Sequence, residues 1–304
     1  MQNNIGSQAF VNKTLNENNL HAKKKFGQNF LTDQNILNQI VEASDLDRDT
    51  AVIEIGPGLG TLTSKLLENA RKVIAIELDE KMIPILTERF KLYNNFTLIN
   101  EDILKVNLKQ LILDNNVEEG EVKIVANLPY YITTPIIMKL LEDKLNIESI
   151  TVMVQKEVAD RITEAPGGKL SGAITYSVNY YAEAKEVTFV GKESFIPSPE
   201  VDSKVIKLKI RNVPPVNVLK EEIFFKIIRA SFMQRRKTLI NGLVNAGIIK
   251  NKEKLEQIFK QIKLDLAIRG EKLTLEQFAE LSNLIAKSIW KHINLWYNIY
   301  VNVL

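Results

Sequence analysis

Val125-Ala-Asn-Leu-Pro-Tyr-Tyr131 begins as an apolar strand and breaks at Pro129. Proline has no backbone N–H and does not sit in the middle of a central strand's ladder. The strand is therefore predicted to end near Asn127. An amide side chain, a proline-shaped turn and an aromatic ring then stand together at the strand's C-terminal edge. In an open α/β sheet, ligands bind outside that edge. An amide beside an aromatic ring suits a flat, hydrogen-bonding target such as a nucleobase.

Strands and helices alternate on both sides of this stretch. Ala51-Val-Ile-Glu-Ile55 is a short apolar strand that runs into Gly56-Pro57-Gly58-Leu59-Gly60 and a helix from about Thr61 to Asn69. A strand over Lys72–Glu77 leads to a helix from about Glu80 to Lys91. A third strand, Phe96–Asn100, ends at Glu101-Asp102. The fourth, Val122–Ala126, runs into the opening stretch. A helix through Ile136 and Leu141 and a fifth strand, Ser149–Val154, follow. This alternation predicts an α/β fold, a doubly wound, Rossmann-like and mostly parallel sheet with right-handed crossovers. Further on, helices are expected to Thr163 and over Ser171–Tyr181, and strands over Glu186–Val190 and Val205–Ile210. Past the linker Asn212-Val-Pro-Pro-Val-Asn217 the apolar period is helical as far as Ser288. Four segments are thus expected: a flexible polar arm (1–20), the α/β domain (21–211), a small all-helical domain (212–288) and an aromatic-rich tail (289–304). The tail carries Trp290, Trp296, Tyr297 and Tyr300.

Composition narrows the chemistry. The chain has 304 residues, no cysteine and two histidines, His21 and His292, near opposite ends. Disulfides, thiolate catalysis and Cys-ligated zinc are excluded, and a His-based triad or metal site is disfavoured. Carboxylates, amides, aromatics, lysines or a bound cofactor must do the work. The net charge of +3 permits a nucleic-acid partner without demanding one. The Asn- and Gln-rich start has no signal-peptide core, and no apolar run approaches the roughly 20 residues that span a bilayer. A cytoplasmic protein is expected.

Four successive strand ends carry polar or glycine signals. The glycine loop lets backbone approach a ligand closely. Its spacing matches neither the dinucleotide fingerprint nor a P-loop, and it holds no Lys or Arg, which suits a ligand without a phosphate chain. Taken alone the loop also fits a tight strand-to-helix turn. Glu77, at the end of the second strand, is placed to accept from ribose hydroxyls. Asp102 follows the third strand, where it can accept from an adenine amine, and Asn127 ends the fourth. Together they favour a nucleoside-bearing ligand.

The glycine loop, Glu77 and Asp102 resemble the S-adenosylmethionine site of class I methyltransferases. Asn127-Leu-Pro-Tyr130 resembles the motif of the rRNA adenine N6-methyltransferases. Gly27-Gln-Asn-Phe-Leu31 is similar to that family's N-terminal cofactor motif. Phe195-x-Pro-x-Pro-x-Val-x-Ser203 is similar to its target-side loop, and Phe232-x-Gln-Arg-Arg-Lys-Thr-Leu-x-Asn241 to its helical domain. Within the family the combination resembles the KsgA-type enzymes of the small subunit, over about residues 22–284.

The resemblance implies a metal-free dimethyltransferase that uses S-adenosylmethionine. Its expected target is two adjacent adenines in the 3′-terminal hairpin loop of 16S rRNA, within the immature 30S subunit. A monomer and a part in small-subunit biogenesis are also implied. The cofactor would be held by Asn29, Leu31, Gly56, Gly58, Glu77, Leu78, Asp102, Ile103 and Asn127. Asn127 and Leu128 would accept the two N6–H bonds, with Pro129 shaping the turn. Tyr130 would stack on a flipped adenine and Phe195 would cover its other face. Two basic clusters, Lys23-Lys24-Lys25 and Arg229, Arg235, Arg236 and Lys237, would contact RNA phosphates. A large-subunit methyltransferase of the macrolide-resistance type and a non-catalytic assembly factor are the competing readings.

Overall fold

The structure, a computed structural model, describes residues 5–18, 28–117, 122–234 and 236–301, with residues 289–301 as backbone alone. The chain divides into two compact units, residues 1–163 with 182–210, and residues 164–181 with 211–304.

The first unit opens with α1 (Gln8–Glu17), β1 (Phe30–Leu31) and α2 (Gln34–Ala43). It continues through β2 (Ala51–Ile55), α3 (Thr61–Asn69), β3 (Lys72–Glu77), α4 (Ile83–Phe90), β4 (Phe96–Asn100), α5 (Leu108–Asp114) and β5 (Val122–Asn127). It closes with α6 (Thr133–Glu142), β6 (Ser149–Gln155), α7 (Lys156–Thr163), β7 (Ala182–Val190), β8 (Phe195–Ile196) and β9 (Ser203–Ile210). Seven strands form one sheet in the order β4-β3-β2-β5-β6-β9-β7. From β4 to β6 neighbours run parallel; β9 and β7 add an antiparallel edge. The strands β2 and β5 are buried along nearly their whole length, as strands covered by helices on both faces must be. The chain winds one way from β2 and the other way from β5. The switch point therefore lies between the glycine loop and Asn127, where such sheets bind ligands.

The Rossmann-like fold expected from the alternation is borne out. The arm is not. Residues 8–17 form α1, whose N-cap Ser7 accepts a hydrogen bond from the Phe10 N–H at 3.2 Å. Val11 is fully buried in one apolar cluster with Leu37, Leu59 and Phe90. One well-placed valine anchors a segment whose composition is that of a loose tail.

The second unit holds α8 (Ala173–Tyr181), α9 (Glu221–Met233), α10 (Leu239–Asn245), α11 (Lys252–Gln261) and α12 (Leu275–Val301). Residues 164–181, expected in the α/β domain, belong here. Tyr176 is fully buried among these helices, meeting Phe278 edge-on at 4.9 Å, and its hydroxyl donates to the Leu273 carbonyl at 2.6 Å. Tyr180 packs against Phe225 at 5.2 Å. The aromatic burial of α8 outweighs its place in the chain. Residues 289–301, expected as a separate tail, continue α12 without a break.

Candidate functional site

A cavity opens at the C-terminal ends of the parallel strands. Asn29, Leu31, Gly56, Gly58, Glu77, Leu78, Asp102, Ile103, Asn127, Leu128, Pro129 and Tyr130 all line it. The sequence placed them at five separate points of the chain, and the sheet brings them together.

One side of the cavity is built on β2 and β3. Gly58 has φ +57, which strains any other residue, and a Cβ there would crowd the Phe30 ring at 3.2 Å. Its N–H donates to Glu77 Oε2 at 3.1 Å, and the Asp79 N–H donates to Oε1 at 2.7 Å. Burial raises the Glu77 pKa, and these two backbone donors work against that rise. Gln28 Nε2 donates to Asp79 Oδ2 at 2.9 Å, tying the N-terminal motif to the same loop. Asp102 caps its own turn by accepting the Leu104 N–H at 3.0 Å.

Glu54 also lines the cavity and was not singled out from the sequence. It is 1% exposed, and its Oε2 has no hydrogen-bond partner among the described residues. Thr63 Oγ1 lies unpartnered as well, so no bond of ordinary geometry joins the two, although Thr63 is close enough to lower the Glu54 pKa a little. Desolvation dominates and pushes that pKa up to about 8. A buried carboxyl without a cation is costly, and a positively charged ligand would relieve it. The signal was in the sequence: one acid inside an apolar strand directly before a glycine loop.

The other side is built on the end of β5. Asn127 Nδ2 donates to the Asn29 carbonyl at 3.2 Å. That bond uses the amide's donor end and leaves Oδ1 as an acceptor. The Leu128 side chain is buried, and its N–H donates to the Met153 carbonyl at 3.1 Å. The Pro129 carbonyl accepts from Thr133 Oγ1 at 3.0 Å and from the Ile132 N–H at 3.3 Å, which closes the turn. The Tyr130 hydroxyl shares a 2.6 Å hydrogen bond with Ser203 Oγ, so the ring is held at both ends. Burial raises the Tyr130 pKa and keeps the phenol neutral. Tyr131 is 53% exposed, also lines the cavity, and has a raised pKa from burial and from the charges of Asp102 and Glu77.

Phe195 departs from expectation. It is 3% exposed, paired with Leu31 across the β1–β8 ribbon and packed in the core; it is not a wall of the cavity. Its ring packs in the same apolar cluster as Phe30 and Leu31 of the N-terminal motif. Lys23, Lys24, Lys25 and Arg235 lie outside the described residues. Arg229 on α9, with Arg236 and Lys237 just beyond it, is exposed on the second unit. Among the described residues no group of three or more His, Asp or Glu is placed to hold a metal, and no helix is long and apolar enough to cross a membrane.

Residues 19–287 match the ribosomal RNA adenine dimethylase family. The chain belongs to that family. Among relatives of this dimethylase, the ribosomal RNA small subunit methyltransferase A of Bacillus pumilus is 45% identical over 292 residues, covering 95% of this chain and 100% of the relative. The protein of the same name from Clostridium acetobutylicum is 50% identical over 265 residues, covering 87% and 94%. Among solved structures, a dimethyladenosine transferase from Plasmodium falciparum superposes with a TM-score of 0.69 at 27% identity, covering 83% of the dimethylase and 95% of that chain. The 23S rRNA methyltransferase ErmE gives 0.63 at 25% identity, covering 84% and 98%.

Proposed function

We propose that this dimethylase transfers methyl groups from S-adenosylmethionine to the N6 amines of two adjacent adenines in the 3′-terminal hairpin loop of 16S rRNA. Each adenine receives two, on the immature small subunit, by an enzyme working as a cytoplasmic monomer. The observation that carries this reading is the oriented Asn127 amide. Its donor end bonds the Asn29 carbonyl, which leaves its oxygen to accept, and the residue lines the same cavity as Glu54, Glu77 and Asp102.

The donor pocket fits the cofactor. Glu77 and Asp102 supply acceptors for ribose hydroxyls and an adenine amine, Ile103 and Leu78 supply apolar flanks, and the orphaned Glu54 carboxyl, largely protonated in the ligand-free enzyme, would ionise on meeting a cationic amino-acid end. When bound, S-adenosylmethionine supplies an electrophilic sulfonium methyl. The protein's part is positioning. Adenine N6 is a poor nucleophile because its lone pair is delocalised into the ring. Asn127 Oδ1 and the Leu128 carbonyl accept the two N6–H bonds, which favours a pyramidal nitrogen and orients its lone pair. The Tyr130 ring, fixed by Ser203, offers one face to a flipped base; such stacking is worth roughly 1–3 kcal/mol. Arg229, Arg236 and Lys237 contribute phosphate contacts. Fixed orientation of this kind supplies much of a rate enhancement.

The test is methyl incorporation into small subunits from cells lacking the enzyme, set against large-subunit RNA. Four methyl groups per small particle are expected. Transfer to large-subunit RNA alone would support the ErmE-like reading instead.

A further inference from the structure

We infer that α1 is a strap on the methyl-donor loop, and that Arg89 is the positioning residue through which it acts. The inference rests on the glycine loop being the donor site. It concerns a segment that precedes residue 19, where the family match begins.

Arg89 lies in the last turn of α4. Its Nη1 donates to the carbonyl of Leu59, inside the glycine loop. Its Nη2 donates to Thr14 Oγ1 at 3.2 Å, and its Cζ sits 4.4 Å from the centre of the Phe10 ring. Thr14 and Phe10 are both on α1. One guanidinium therefore joins the loop to the strap, with its fork divided between two elements. No carboxylate pairs with Arg89 among the described residues, so its bonds are the loop carbonyl, the threonine and the ring face. Burial pulls its pKa down to about 10, which leaves it charged at neutral pH.

The same helix supports the loop from beneath. Gly60 has φ +79, and a Cβ there would lie 2.6 Å from the Phe90 ring. The loop thus rests on α4 and is tied by its neighbour Arg89. An isolated helix of ten residues is marginal in water, so α1 is ordered by these contacts and by Val11 in the core. Docking of α1 and ligand binding at Gly56–Gly60 then favour each other, since coupling between two binding events is reciprocal.

The full-length enzyme is compared with Arg89→Met, Arg89→Lys and Phe10→Leu. S-Adenosylmethionine affinity, small-subunit affinity and kcat at saturation are measured well below the melting temperature. Arg89→Met is expected to weaken cofactor binding about tenfold, the scale of a lost charge-assisted hydrogen bond. Its kcat and particle affinity should stay within about twofold. Arg89→Lys, with the charge and a single donor head, should fall between. Phe10→Leu keeps the apolar bulk, loses the ring face, and should cost about threefold with the same split. It decides the matter if Arg89→Met does not fold. Faster amide exchange at residues 58–60 in Phe10→Leu would support the strap. Cofactor affinity within twofold of wild type in the folded variants overturns it, as does an equal fall in cofactor and particle affinity. A wild-type enzyme that takes up no S-adenosylmethionine overturns the donor-site reading and the strap with it.

Discussion

Replacing Asn127 with alanine separates chemistry from folding. The side chain makes one neutral hydrogen bond, to the Asn29 carbonyl at 3.2 Å. Losing it costs about 0.5–1.5 kcal/mol of net stability, a small part of the roughly 5–15 kcal/mol of a typical domain. The backbone of residue 127 stays paired with Met153 in the sheet, so the turn is retained. The effect on turnover is far larger. As N6 is methylated it gains positive charge, and in the proposed mechanism Asn127 Oδ1 is the oriented acceptor that meets it. Removing one preorganised group aimed at developing charge costs about 10²–10³ in kcat. The assay is single-turnover methyl transfer to small-subunit particles, with cofactor affinity measured in parallel. A fall of at least 100-fold in rate with cofactor affinity changed less than about threefold is expected. A rate within threefold of wild type would refute the acceptor role.

Glu77→Ala removes the carboxylate that holds the Gly58 and Asp79 N–H groups and should weaken cofactor binding at least tenfold; unaltered affinity in a titration would take Glu77 out of the site. Glu54 has a folded-state pKa raised from 4.5 to about 8, so its contribution to stability is fully present below about pH 4.5 and is lost as pH rises through 8. The gap sets an upper bound on the order of 5 kcal/mol. Glu54→Gln should therefore flatten the decline in melting temperature of the ligand-free enzyme between pH 5 and 8, and an unchanged slope would count against the assignment. Phe195→Ala should cost about 3–5 kcal/mol of stability as a buried aromatic, whereas Phe195→Leu should keep turnover per folded molecule. A tenfold loss of turnover in Phe195→Leu at unchanged melting temperature would put the ring back beside the base.

The two sides of the cavity were legible because their signals are local. A strand that ends in Asn-Leu-Pro-Tyr, or runs into three glycines, announces its own edge, and the alternation around it fixes which edge. Contacts between distant segments were not legible. Phe195 sits beside two prolines in a stretch that reads as a loop, and only its pairing with Leu31, far back in the chain, buries it. The first 20 residues are mostly polar, so Ser7 as a cap and Phe10, Val11 and Leu15 are only a weak local sign of α1; burial of Val11 and the reach of Arg89 place it. Residues 164–181 precede two strands of the sheet, yet Tyr176 and Tyr180 draw them into the helical unit. Glu54 falls between these cases. An acid within Ala51–Ile55 breaks the apolar pattern of a covered strand, a visible fault whose meaning comes only from the cavity behind it.

The central claim is that an adenine amine of small-subunit rRNA meets the methyl donor at Asn127. Its most direct test is the product itself: small subunits methylated by the wild-type enzyme, digested with nuclease and mapped by mass. The account predicts two adjacent N6,N6-dimethyladenosines in the 3′-terminal hairpin loop, both absent after reaction with Asn127→Ala. Methylation at another atom of adenine, at another base, or only in large-subunit RNA would contradict it.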